Sequence, residues 1–277
     1  MISSTQTRTL SRIGQLPWWF IILMLTGVIL VYQFATSENY GVIFQKIANG
    51  LVITIFTAVV AYVMALIIGL LAGLGRISKN PIAFNVSTLY VQVIRGVPII
   101  VQLIYNAFVI TPALIAFINL VGKWLAPVLG AENFLTALSV QDISFLARSV
   151  IGLALAYGGF EAETIRAGIE SIGKGQMEAA RSLGMSYVQA MRHVILPQAF
   201  RRILPTLGND FISMIKDSSL VGVLGVKDVT REGQLYATAS FRYLETFSSV
   251  AFVYLILTFL LALGVRWIEN RLGQGRS

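Results

Sequence analysis

Ile47-Ala-Asn-Gly-Leu-Val-Ile-Thr-Ile-Phe-Thr-Ala-Val-Val-Ala-Tyr-Val-Met-Ala-Leu-Ile-Ile-Gly-Leu-Leu-Ala-Gly-Leu-Gly75 is a stretch without a charged residue, and it decides the fold class. A helix needs about 20 mostly apolar residues to cross about 30 Å of hydrocarbon. The whole chain shows the same bias, because 56% of its 277 residues are hydrophobic and only 12% are charged. An average soluble domain is about 25% charged. This composition excludes a water-soluble globule and a disordered chain, and it predicts an all-α polytopic membrane protein.

Six stretches have the composition of transmembrane helices: residues 18–34, 47–75, 97–122, 149–160 with a charged continuation, 203–226, and 246–265. The first could instead be a secretory signal peptide, preceded by Arg8 and Arg12. Its apolar run exceeds the 7–15 residues of a signal core, which favours a retained helix.

The net charge of +8 is explained by topology. With the N-terminus inside, six basic residues lie in outer segments: Lys46, Lys123, Arg148, Lys227, Arg231 and Arg242. Twelve lie in cytoplasmic segments: Arg8, Arg12, Arg76, Lys79, Lys174, Arg181, Arg192, Arg201, Arg202, Arg266, Arg271 and Arg276. Basic residues concentrate on the cytoplasmic side of membrane proteins, so both termini are predicted to be cytoplasmic.

The predicted organisation has two parts. Residues 1–45 form an N-terminal tail and an extra helix, and residues 46–277 form the main transmembrane domain. The latter contains an extracytoplasmic insertion at about 112–145, which we expect to be interfacial or re-entrant, and a cytoplasmic loop at about 171–202. Gly69 and Gly73 form a G-x-x-x-G pattern, which fits either a close helix contact or ordinary glycine usage.

The chain contains no cysteine and a single histidine, His193. This composition excludes a thiol nucleophile and the usual His/Cys metal sites. We therefore expect no catalytic residue and no metal ligand in this chain.

The cytoplasmic loop carries the functional information. Residues 176–183 are good helix formers, Gly184 fits a helix C-terminus, and Ser186 with Gln189 forms a capping box for a second helix. Pro197 is expected to end or bend that second helix. The loop is therefore predicted to be a helical hairpin that docks into a groove of a partner.

Two other interpretations of the loop fail. Residues 168–174 fit G-x-x-x-x-G-K, but Gly175 replaces the Ser or Thr that binds magnesium, so a nucleotide loop is rejected. A DNA-binding helix-turn-helix requires access to a major groove, which a short loop tethered beside the bilayer lacks. We expect no nucleic-acid partner.

The loop resembles the EAA loop of ABC importer permeases, E-A-A-x3-G-x9-I-x-L-P. Glu178-Ala179-Ala180, Gly184 and Leu196-Pro197 match it, with Val194 at the isoleucine position. Further matches are similar to the permeases for polar amino acids (histidine, glutamine, arginine, glutamate): Arg95-Gly96-Val97-Pro98, Glu163-Thr-Ile-Arg166, Lys174-Gly175-Gln176, and the stretch 207–220 with Lys216-Asp217-Ser218-Ser219-Leu220. These matches cover about residues 49–271.

The resemblance implies a five-helix permease core plus an N-terminal helix in the bacterial inner membrane. It implies two permease subunits, alike or different, over a cytoplasmic ABC ATPase dimer that binds ATP and magnesium. An extracytoplasmic binding protein would deliver the amino acid, and this chain would bind no cofactor. The ATPase-coupling residues would be Glu178, Ala179, Ala180, Arg181, Leu183 and Gly184.

Charged side chains inside a bilayer are costly and usually face a cavity or each other. The substrate-path candidates are Glu161, Glu163, Asp210, Lys216, Asp217 and Ser218. The alternative is that they pair within the structure, as Glu163 and Arg166 could at i,i+3. The competing function, an ion-coupled secondary transporter or channel, would also use such carboxylates, but it does not explain the EAA pattern.

Overall fold

The computed structural model describes residues 18–130 and 132–273, and within these ranges every regular element is helical. Arg8, Arg12 and Arg276, on which the predicted orientation partly rests, lie outside the described residues, as do the tail before residue 18 and Ala131. The all-helical class is thus confirmed for the described part of the chain.

The helices are numbered α1 to α11 in chain order. They are α1 Trp18–Thr36, α2 Glu38–Asn49, α3 Leu51–Arg76, α4 Pro81–Gly96, α5 Ile99–Trp124, α6 Phe145–Glu170, α7 Lys174–Ser182, α8 Tyr187–Ala190, α9 Leu196–Asp217, α10 Val229–Ser240 and α11 Tyr243–Gly273. A single turn, Ala126–Leu129, and two 3-10 segments, Val140–Asp142 and Ser218–Leu224, lie in the connections.

Side chains at the N-termini explain where several helices begin. Asn80 accepts a hydrogen bond from the Ile82 N–H at 2.8 Å at the start of α4, where Pro81 fits the first turn. Ser144 caps α6, and Asp228 caps α10 by accepting from the Arg231 N–H at 2.9 Å. These caps satisfy N–H groups that have no partner within the helix.

Four helical runs in the described part of the chain are long and apolar enough to cross a membrane: Glu38–Arg76, Ile99–Trp124, Phe145–Glu170 and Tyr243–Arg271. A shorter apolar helix, Met24–Thr36, overlaps the predicted first span. The predicted fifth span, 203–226, is not among the four long runs. Helix α9 ends at Asp217 and carries five charged side chains: Arg201, Arg202, Asp210, Lys216 and Asp217. A multi-pass helical protein is therefore established, while the count of six and the side of the termini stay predictions.

Helix α6 is the central element. Of its most apolar stretch of 18 residues, 67% is buried within the protein, compared with 17% for the corresponding stretch of α11. It packs most extensively against α3. A Cβ built on Gly69 would lie 2.5 Å from the Glu161 Cβ, and one on Gly73 would lie 2.9 Å from the Ala162 carbonyl oxygen. The G-x-x-x-G pattern is therefore a close helix contact, because no larger side chain fits between the two backbones.

Replacing Gly69 with alanine should lower the melting temperature of the detergent-purified protein by several degrees. The added methyl group would force α3 and α6 apart, and overpacking typically costs about 1–3 kcal/mol. Gly264→Ala on α11 is the matched control, since no atom lies within 4 Å of its added Cβ. Equal melting temperatures for the two variants would contradict the close contact.

Pro112 and Pro197 lie inside continuous helical runs. Each follows a five-residue π-helical turn, Asn106–Ile110 or Met191–Ile195. The residue before each proline donates its N–H five residues back, to Asn106 or Met191, so the turn is widened where the proline ring would otherwise clash. The second loop helix, which Pro197 was expected to end or bend, does not end there: it continues through the widened turn into α9.

The wide turn in α5 frees a carbonyl group that Arg148 takes up. Thr111 bonds to Asn106 and Pro112 has no N–H, so the Ala107 oxygen lacks its helical donor. The Arg148 Nη1 donates to it at 3.2 Å, and the buried guanidinium also donates to Ile143 and Val140. Arg148 thereby ties the segment before α6 to α5.

The segment between α5 and α6 packs back along α5. The Asn133 side-chain amide donates to the Gly122 carbonyl oxygen at 3.0 Å, and the Asn119 amide donates to that of Leu138 at 3.1 Å. The first part of the insertion predicted at about 112–145 is the end of helix α5, which runs to Trp124. Its interfacial or re-entrant placement stays a prediction.

Candidate functional site

The predicted loop hairpin is built as its sequence indicates. Helix α7 ends in a Schellman motif: the Gly184 N–H donates to Arg181 and the Met185 N–H donates to Ala180. Gly184 has φ +86°, the left-handed region in which glycine carries no steric cost. Gly184 therefore makes the turn between the two arms of the hairpin.

A capping box starts the second arm. The Ser186 hydroxyl oxygen accepts from the Gln189 N–H at 3.3 Å, and the Gln189 side chain accepts from the Ser186 N–H at 2.8 Å. Two N–H groups of the first turn are thus satisfied reciprocally. The capping box predicted from the sequence is confirmed.

The hairpin packs onto the end of α6. Met177 joins a cluster of buried side chains that share an apolar character: Ile165, Ile169, Met191, Ile195, Ala199, Ile203 and Leu207. Arg202 adds a polar tie, donating from Nη1 to the Ser171 carbonyl oxygen at 2.6 Å. The hairpin is therefore packed against both α6 and α9.

The apolar side chains of the hairpin fall into two groups. Ala180 is buried and Met177 is half-buried, so both pack within this chain. Leu183, by contrast, is 82% exposed, and Ala179 is also exposed. Ala180 thus packs within the subunit, whereas Leu183 marks a free surface.

The free surface, which we call the tip, contains two residues that the sequence reasoning missed. Val188 is 70% exposed and Tyr187 is 47% exposed, both in the first turn after the capping box. The signal available in the sequence was their position directly after a helix cap, on a loop that is expected to face a partner. Glu178 and Arg181 are exposed as well, so the tip is apolar with charged neighbours.

The candidate Glu163 lies in a cluster of arginines. Its carboxylate pairs with Arg76, at the end of α3, and with the Arg166 Nη2 at 2.5 Å. The Arg95 Nη1 lies 3.8 Å away, and Arg166 also pairs with Glu170 at 2.5 Å. The pairing of Glu163 with Arg166 was expected from their i,i+3 spacing. Arg76 and Arg95 come close to Glu163 only because α3 and α4 pack on α6.

Glu161 is the opposite case. Its side chain is fully buried, and neither carboxylate oxygen has a hydrogen-bond partner within the described residues. The nearby Tyr62 hydroxyl donates to the Leu207 carbonyl oxygen at 2.5 Å instead. Such a group is unusual, because burying an unpaired polar atom is costly.

Asp210 of α9 lies near Glu161, and Asp217 lies beside Tyr157. The two tyrosines Tyr62 and Tyr157 interact electrostatically with both Glu161 and Asp210, which places these groups in one region. The Asp217 carboxylate accepts from the Tyr157 hydroxyl at 2.8 Å. No basic side chain lies within ion-pair distance of Glu161, Asp210 or Asp217 in the described ranges.

The remaining two candidates for the substrate path, Lys216 and Ser218, lie in different environments. Lys216 is exposed and points away from its neighbour Asp217, as adjacent helical residues must. Ser218 is buried, and its hydroxyl donates to the Ile215 carbonyl oxygen at 2.8 Å. Ser218 is therefore the C-cap residue of α9. From the sequence alone it was placed with the charged candidates for the substrate path.

Residues 65–274 match the family model of the binding-protein-dependent transport system inner membrane component. The chain belongs to this family. The protein is therefore a multi-pass inner membrane permease of a bacterial ABC importer, and ATP is bound and hydrolysed by the partner ATPase. The family membership confirms the resemblance drawn from the sequence motifs, and it rules out the secondary-transporter alternative.

Named relatives cover most of this permease. The probable amino-acid permease protein YxeN of Bacillus subtilis is 37% identical over 215 residues, which is 78% of this chain and 86% of that protein. The glutamine transport system permease protein GlnP of Escherichia coli is 37% identical over 224 residues, 81% of this chain and 91% of its own. The arginine transport system permease protein ArgU of Corynebacterium glutamicum is 33% identical over 260 residues, 94% and 77% respectively.

Two solved structures resemble the permease in fold. A chain of an amino acid ABC transporter crystallised with histidines is 32% identical, has a TM-score of 0.67, and matches over 86% of this chain and 98% of its own. A chain of the inward-facing MetNI methionine ABC transporter is 19% identical with a TM-score of 0.63, covering 82% and 96%. The second likeness concerns the fold alone.

Replacing Leu183 with glutamine should weaken ATPase binding without unfolding the permease. The change removes the apolar side chain that we expect the ATPase to bury, and burial of a leucine side chain contributes about 1.5–3 kcal/mol. Co-purification of the ATPase and its stimulated activity would be measured.

The matched control for this prediction is Leu244→Gln, near the start of α11, where the leucine is 79% exposed and remote from the hairpin. Equal loss of ATPase binding in both variants would show that the tip has no special role.

Proposed function

We propose that this permease imports a polar amino acid, together with a second permease subunit and an extracytoplasmic binding protein. The observation that carries the proposal is that amino-acid permeases align with it over most of its length. The Arg95, Glu163 and Lys216-Asp217 motifs of that branch are also present. The second subunit could be a copy of this chain or a related permease.

The coupling hairpin is proposed to receive the ATPase movement through the tip. Glu178, Ala179, Arg181 and Leu183 would face the ATPase, and Gly184 would permit the tight turn between the two arms. Ala180 would anchor the hairpin to the end of α6. Because the hairpin packs on α6 and α9 together, the inner ends of both helices would move as one unit when the ATPase closes.

The topology proposed for this function has six membrane helices with both termini in the cytoplasm. The excess of basic residues in the inner segments supports it. Since the chain has no cysteine, single introduced cysteines can report the side of each loop without background. The hairpin should react with a membrane-impermeant thiol reagent only from the cytoplasmic side.

The substrate path is proposed to run beside Glu161 and Asp210. A zwitterionic amino acid brings an ammonium group, and an unpaired buried carboxylate is the group that such a cation would stabilise. Asp217 and the exposed Lys216 stay secondary candidates. Glu163 and Ser218 have partners within the chain, which favours structural roles for them.

Reconstitution tests the function. The permease, its ATPase and the binding protein would be placed in liposomes with labelled glutamine, arginine or histidine, and uptake would be followed with and without ATP. We expect uptake only when ATP, ATPase and binding protein are all present. Uptake that persists without the ATPase would contradict the importer mechanism.

Glu161→Gln should lower uptake about tenfold or more while leaving the melting temperature equal or higher. Loss of a charged hydrogen bond to substrate costs about 1.5–3 kcal/mol, whereas removing a buried charge that has no partner in the structure costs the fold nothing. Glu132→Gln, at an exposed position between α5 and α6, is the control. Normal uptake by Glu161→Gln would remove Glu161 from the path.

A further inference from the structure

The break between α4 and α5 has the construction of a hinge. Helix α4 ends at Gly96, and Val97 and Pro98 take extended backbone conformations (ψ 134° and 140°) before α5 begins at Ile99. No atom lies within 4 Å of a Cβ built on Gly96, so the backbone there is not packed. The two helices are therefore joined by two residues, Val97 and Pro98, at which the chain can change direction without breaking a helical turn.

The break is braced from one side by Gln102. Its amide nitrogen donates to the carbonyl oxygens of Ile94 and Val97, both at 2.7 Å, which otherwise lack donors at the end of α4. Beside this brace lies an apolar groove of about 330 Å³, lined by Val93, Val97, Val101 and their neighbours. The groove gives α4 and α5 room to change their angle.

Arg95 spans the other side of the break. It lies one turn before Pro98, and its guanidinium approaches Glu163 on α6 at 3.8 Å with 46% of its side chain exposed. Arg76 and Arg166 already hold the Glu163 carboxylate at shorter distances. Arg95 is thus the loosest member of the cluster, and it is the one that joins the hinge to α6.

We propose that Arg95 is a positioning residue for transport: its ion pair with Glu163 couples the hinge between α4 and α5 to α6. The inference rests on the proposed coupling of the hairpin to an ATPase. Movement of the hairpin displaces the inner end of α6, and with it Glu163. Arg95 then draws the end of α4 along and changes the angle at which α5 leaves the hinge.

This role is separable from stability. A partly exposed ion pair contributes about 0–1 kcal/mol, and Glu163 keeps two other arginines when Arg95 is replaced. Arg95→Gln should therefore fold and bind the ATPase normally. Its effect should appear only in the ratio of amino acid imported to ATP hydrolysed.

The first experiment measures that ratio for the reconstituted complex. We expect Arg95→Gln to lower it by roughly fivefold or more, the lower end of typical coupling between sites. Arg95→Lys, which keeps the charge, should retain most of it. Lys79→Gln, an exposed cation of the loop before α4, should match the unaltered protein.

The second experiment measures the hinge. Spin labels on cysteines introduced at Val86 and Leu120, both 63% exposed and on either side of the break, report the distance across it. We expect this distance to differ between the nucleotide-free and ATP-bound complexes, and the difference to vanish in Arg95→Gln. A normal ratio in Arg95→Gln, an equal loss in Lys79→Gln, or a distance that never changes would each overturn the proposal. Failure of the unaltered complex to couple ATP hydrolysis to uptake would instead contradict the proposed function.

Discussion

The close approach of α3 and α6 is the contact on which the rest of the structure depends. Gly69 and Gly73 allow the α3 backbone to lie against Glu161 and Ala162 of α6, and larger side chains would separate the helices. Because lipid provides no hydrophobic drive for helices to associate, such packing must be tight to be stabilising. The contact also brings Arg76 of α3 to Glu163 and places Tyr62 of α3 beside Glu161. The structural ion cluster and the unpaired carboxylate are therefore both consequences of one glycine-lined interface.

Positive charge near the membrane is handled in two ways in this protein. Around Glu163 three arginines share one carboxylate, so the helices α3, α4 and α6 are held together by charge. Arg148 has backbone carbonyl oxygens as its hydrogen-bond partners, together with the ring of Phe145 at 4.8 Å. The ion pairs around Glu163 can break one at a time. The hydrogen bonds of Arg148, by contrast, hold the segment before α6 in one position against α5.

Much of the fold could be predicted from local signals. The uncharged runs indicate the long helices, and Gly184 with the Ser186 and Gln189 pair defines the hairpin, because these signals act within a few residues. The environments of Glu161 and Glu163 could not be predicted, since they depend on which helices meet. Two carboxylates separated by one residue on α6 face opposite situations: one has three arginines nearby and the other has none. The division of the hairpin into buried side chains and an exposed tip likewise depends on packing, because the buried part contacts Ile165 and Ile169 of α6.

The two π-helical turns before Pro112 and Pro197 have a consequence for sequence comparison. Each wide turn accommodates one residue more than an α-helix would, and one residue corresponds to about 100° of rotation about the helix axis. The faces of α5 and α9 beyond these turns are therefore out of phase with the residues before them. A hydrophobic periodicity read across residues 106–110 or 191–195 without a gap assigns the wrong face. A homologue that lacks one residue at either place would present the same side chains to different neighbours.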